Sequence, residues 1–105
     1  MDVTPQIDQG VNVIQSYTAD SLMVGKTTYK APVIITADKI AEGDDLSQIN
    51  KPEVLLIASD EAVSHEDFLK YKDMADGFEI MNVDAACRTY NVLITEGRKV
   101  AIMLT

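Results

Sequence analysis

The sequence predicts an α/β layered domain, and three observations carry that reading. Two segments, Pro32 to Thr36 (PVIIT) and Glu53 to Ala58 (EVLLIA), are continuous apolar runs rich in β-branched residues, the pattern of strands covered on both faces. The second half of the chain then orders its periodicities as strand, helix, strand, helix, strand. The length of 105 residues, 47% hydrophobic and 25% charged, suits one domain over residues 1–105 that buries a core without staples.

Taken in order, Val11 to Tyr17 alternates Val11 and Val13 about Asn12, and Ser21 to Val24 is a short apolar segment beyond the turn-forming Thr18, Ala19 and Asp20. Gly25 and Lys26 offer another turn before Thr27 to Tyr29, which completes a half-exposed antiparallel meander. After the strand ending at Thr36, Asp44 to Gln48 reads as a short helix and Asn50, Lys51 and Pro52 as a turn. Ser64 with Asp67 three residues on marks a helix start, with Phe68, Tyr71 and Ala75 on one face and Gly77 as its stop. Phe78 to Val83 is the next strand, and Asp84 to Glu96 a helix closed by Gly97. In the last strand, Arg98 to Thr105, Val100, Ile102 and Leu104 face one way and Ala101 and Met103 the other, so both its faces should be covered.

Seventeen acidic against nine basic residues give a net charge of -8, which repels nucleic acid and anionic lipid. The first basic residue is Lys26 and the longest apolar stretch is Val54 to Ala58, so neither a targeting segment nor membrane insertion is expected, and the chain reads as cytoplasmic. One cysteine, Cys87, and one histidine, His65, leave no ligand cluster for zinc. No metal and no cofactor are expected. The pairs Asp44-Asp45 and Asp60-Glu61 read as solvated loop charge, and His65 as a solvated residue at a helix start.

The segment Ala85-Ala86-Cys87-Arg88-Thr89-Tyr90-Asn91-Val92-Leu93, followed by Glu96-Gly97-Arg98 and an apolar strand, resembles the signature of a small domain family of unknown function. That family includes mitochondrial respiratory complex I assembly factor 3 and the adipogenesis-associated domain-containing protein. The resemblance extends through Ile14-Gln15-Ser16-Tyr17, Val33 to Thr36, Val54 to Ile57 and Glu79-Ile80-Met81. It implies three layers around a mixed sheet of about five strands, with an N-terminal hairpin or meander and the last strand antiparallel to the rest. The chain departs from the family pattern at Ala58-Ser59-Asp60, in place of a glycine-containing turn, and at Asn82-Val83, in place of an aspartate-threonine pair.

The signature residues Cys87, Arg88, Tyr90 and Asn91 form the candidate site, with no catalytic residue assigned. On a helix, Ala86, Tyr90 and Leu93 fall within about a 60° arc, the expected core face, with Cys87, Asn91 and Ile94 on its flank and Arg88 opposite. Asp84 or Asn82 as N-cap would put Cys87 in the first turn. Cys87 is then either a lowered-pKa thiol beside Arg88 or a small buried hydrophobe. Tyr90 either offers its hydroxyl to a pocket or packs in the core with one backbone hydrogen bond, and Arg88 either makes a buried structural ion pair or meets a partner. Three functions follow: a non-catalytic protein-interaction or assembly-factor-like domain, which the resemblance favours; a small-anion or metabolite-binding module at the helix start near Cys87 and Arg88; and a thiol-dependent redox enzyme.

Overall fold

A computed structural model of the protein describes residues 10–105. The N-terminal residues read as free of a targeting signal lie outside them up to residue 9. The chain first makes three short antiparallel strands, β1 (Ile14–Thr18), β2 (Ser21–Val24) and β3 (Thr27–Lys30), at the two turns the sequence predicts. Next come β4 (Val33–Thr36), β5 (Ile40–Glu42) and a 3₁₀ turn (Leu46–Gln48) capped by the Asp45 carboxylate. The remaining elements are β6 (Val54–Ala58), α1 (His65–Tyr71), β7 (Gly77–Met81), α2 (Val83–Thr95) and β8 (Val100–Leu104).

The second group of strands forms one five-stranded mixed sheet in the order β5-β4-β8-β6-β7. The last strand pairs antiparallel with β4 but parallel with β6, so the expectation of an antiparallel last strand holds on one side only. The cause is the crossover helix: α2 carries the chain from the end of β7 back to the start of the sheet, so β8 runs with β6 and β7, and β4 is the strand that opposes its neighbours. α1 and α2 lie on opposite faces and step in opposite directions across the sheet, which gives both crossovers the same hand.

Alternation in β8 splits the core in two. Val100, Ile102 and Leu104 join Leu56, Ala58, the buried face of α2, and Ile14 and Leu22 from the small sheet. Ala101 and Met103 join Leu55 and Ile57 beneath Leu46 and Tyr71. All five β8 residues are buried, as a central strand with two covered faces requires.

The helix ends obey local chemistry. Ser64 Oγ accepts from Asp67 N at 3.2 Å to start α1, which ends at Tyr71 rather than near Gly77. Beyond Tyr71 the chain turns, Asp76 N donates to Pro52 O at 3.1 Å, and Gly77 N donates to Glu53 O at 2.9 Å, so Gly77 opens β7 instead of stopping the helix. At the end of α2, Gly97 N bonds Ile94 O and Arg98 N bonds Leu93 O, with Gly97 at φ +75°. A Cβ there meets nothing within 4 Å, so Gly97→Ala isolates the left-handed backbone penalty. It should cost about 1 kcal/mol in chemical denaturation.

Candidate functional site

α2 is pressed between the two sheets, and this decides what its signature residues do. Its buried positions are Val83, Ala86, Cys87, Tyr90, Asn91 and Ile94, an arc of about 140°, with the main sheet covering one side and β1 the other. Cys87 and Asn91, placed on the flank by helical geometry, are therefore interior, and Leu93 is only half-buried.

The polar groups of this face latch the small sheet onto the helix. Ile14 N donates to Asn91 Oδ1 at 3.0 Å, and Asn91 Nδ2 donates to Ile14 O at 2.8 Å, so the carboxamide pairs with the backbone of β1 as a neighbouring strand would. Tyr90, fully buried, donates from its hydroxyl to Asn12 O at 2.8 Å, the core arrangement with one backbone bond. Burial pushes its phenol well above the ordinary tyrosine value. At the first turn, Tyr17 Oη donates to Asp84 Oδ1 at 2.5 Å, and Arg88 Nε donates to the same oxygen at 2.8 Å. The Tyr17 hydroxyl, and then the Arg88 guanidinium, hold the Asp84 carboxyl below its usual range.

Arg88 thus makes an ion pair, and on the surface rather than buried: both side chains are about half exposed. Cys87 is fully buried, and desolvation, then the Asp84 carboxylate, pushes its thiol up to about 12, the reverse of the lowering a reactive thiol needs. The helix start is also occupied. Val83 N donates to Asp60 Oδ1 at 2.9 Å and Ala85 N to Asn82 Oδ1 at 2.8 Å, so two of the N-H groups an anion would use are taken by the protein's own side chains.

Asp60 is not simple solvated loop charge, because its carboxylate caps a helix more than twenty residues away. Asp60 and Asn82 together cap the start of α2. His65 is exposed behind the Ser64 cap, as expected. Among the described residues no three His, Cys, Asp or Glu side chains gather as a metal site.

Comparison with known proteins places this architecture. The sequence pattern of a family described as "Protein of unknown function (DUF498/DUF598)" matches residues 14–105. The chain belongs to the DUF498/DUF598 family. No curated protein matches it. This DUF498/DUF598 chain is similar to a crystal structure of a Bordetella parapertussis protein, with 24% identity and a TM-score of 0.73 over 91% of this chain and 96% of that one. A solution structure from Bordetella pertussis, described as a Mth938-like domain, is 19% identical with a TM-score of 0.71 over 99% and 91%. A crystal structure described as an outer membrane protein from Bartonella henselae is 23% identical, with a TM-score of 0.71 over 90% and 94%. Likeness at these identities is likeness of fold. Among the described residues of the DUF498/DUF598 chain, no helix is long and apolar enough to cross a membrane.

Proposed function

We propose that this protein is a non-catalytic protein-interaction domain, acting in the cytoplasm in the manner of a complex-assembly factor, and that it docks its partner along β7. The observation that carries the reading is the outer edge of the main sheet. β7 pairs with β6 alone among the described strands, Ile80 on it is 38% exposed, and Phe68 on α1 is 45% exposed. Phe68 packs edge-on against Phe78 with ring centroids 5.1 Å apart, so the apolar patch runs from the strand onto α1. An unpaired edge flanked by exposed apolar side chains is the geometry of strand addition.

Charge selects the partner. Between residues 65 and 81 five acids, Glu66, Asp67, Asp73, Asp76 and Glu79, stand against Lys70 and Lys72. That favours an extended basic segment of another protein over a second copy of a chain of charge -8. The resemblance of the Ala86-to-Asn91 run to the complex I assembly factor supplies the assembly-factor half of the reading. The anion and redox alternatives draw less support, because Cys87 is buried with a raised pKa and the helix start is already capped.

Selection from a library of extended peptides should recover basic sequences that shift the amide resonances of Gly77 to Met81. Ile80→Lys should weaken the selected peptides at least about tenfold, the scale of losing one well-placed apolar anchor. Peptides that bind Ile80→Lys as well as wild type, or a library that yields none, would count against the proposal.

A further inference from the structure

A second feature lies away from β7. A cleft of about 610 Å³ opens between the β4–β5 turn, the loop leading from the 3₁₀ turn into β6, and the α2–β8 turn. It is within the size range of small-molecule sites, roughly 300–1,000 Å³. Four of the chain's nine basic residues line it, Lys39, Lys51, Arg98 and Lys99, with Asp38 as the single acid. Seventeen acids in the whole chain make that local balance an inversion of the protein's charge. Val11, Ala37 and Ile49, each partly exposed, add an apolar surface to the lining.

The cations are placed to receive an anion. Lys39 Nζ donates to Gln48 O, which ties two walls together and leaves further ammonium hydrogens to donate. Arg98 Nε lies 3.6 Å from Glu53 and Lys51 Nζ 3.7 Å from Asp76, with side chains about half exposed or more. Such long solvent pairs contribute little and exchange readily. Lys99 has no ion pair among the described residues.

Backbone and side-chain hydrogen bonds tie the walls together. Asn12 N donates to Ala37 O at 2.8 Å, Asn12 Nδ2 to Thr36 O at 3.0 Å, and Glu53 N to Lys99 O at 2.9 Å. The C-terminal end of α2 opposes an anion through its carbonyls, but the Ile94 and Leu93 carbonyls are already capped by Gly97 and Arg98 N-H groups.

We propose that this cleft binds a small organic anion, its phosphate or carboxylate group held by Lys39, Arg98 and Lys99 and its apolar body resting on Val11, Ala37 and Ile49. The site shares no residue with the β7 edge and stands independently of the interaction reading.

Calorimetric titration of the full chain with AMP, decanoate and inorganic phosphate tests it, with amide shifts recorded in parallel. At least one organic anion should bind with Kd below about 1 mM, about tenfold or more tighter than inorganic phosphate, and shift the amides of Ala37 to Lys39 and Gly97 to Val100. Binding of AMP alone assigns a phosphate head group, and of decanoate alone a carboxylate. Arg98→Gln combined with Lys99→Gln, both exposed positions, should melt like wild type and bind at least about tenfold more weakly. Failure of both organic anions, shifts that map elsewhere, or undiminished binding by the double variant would overturn the proposal.

Discussion

Replacing Asn91 with leucine should destabilise the protein by about 2–4 kcal/mol, because it strips partners from both backbone groups of Ile14 inside the fold. The leucine side chain approximates the carboxamide in size, so the loss reports polar pairing rather than a cavity. A domain of this length has only about 5–15 kcal/mol in total, so the variant should sit near the edge of folding at physiological temperature. Urea denaturation gives the global value. Hydrogen exchange gives the location: the Ile14 amide, and the β1 to β3 amides with it, should exchange by a local opening that leaves β6 and β8 protected. Arg88→Ala on the solvent side of the same helix should have no comparable effect, since its pair with Asp84 is exposed on both sides. An Asn91→Leu protein within about 0.5 kcal/mol of wild type would mean that the latch contributes nothing beyond packing.

That latch also shows which parts of this fold are legible in a sequence. Local chemistry reads well: Ser64 before a helix, Gly97 after one, and the alternation of Val100, Ile102 and Leu104 against Ala101 and Met103 each state a periodicity or a backbone need within a few residues. The three residues of β5 are too few to show an alternation, and that strand escapes the sequence reading. Gly77 misleads because glycine serves equally well to end a helix or to begin a strand, and only its pairing with the β6 register decides.

The sequence marks Cys87, Arg88, Tyr90 and Asn91 as a group but does not show what they touch. The bonds from Asn91 to Ile14 and from Tyr90 to Asn12 join groups 77 and 78 positions apart. Asp60 reaches Val83 across 23. Side chain to backbone bonds at such separations leave no pattern in composition or spacing. The signal present was indirect: a helix with polar Asn91 and small Cys87 on the flank of its apolar face fits a helix covered from two sides. A helix packed on one sheet needs only the roughly 60° face of Ala86, Tyr90 and Leu93, whereas one packed between two also buries Cys87 and Asn91.

Cys87 carries the other large expectation, and its sign follows from burial. The thiol is raised from its ordinary 9.0 to about 12, so the folded protein holds that proton more tightly than the unfolded chain does. The stability this contributes is fully present below pH 9 and is lost as pH rises from 9 towards 12, at up to about 1.4 kcal/mol per pH unit. Tyr90, raised by burial from 10.0, adds to the alkaline slope, so Cys87→Ala should remove only the part that begins at the lower pH. At pH 8 the same shift leaves the native thiol roughly a thousandfold poorer in thiolate than a free one. Alkylation of the native protein, followed by mass spectrometry, should therefore run about a thousandfold or more slower than in denaturant, and should quicken in Asn91→Leu as the small sheet opens away from α2. A native rate within about tenfold of the denatured one would place the sulfur within reach of solvent and return thiol chemistry to contention.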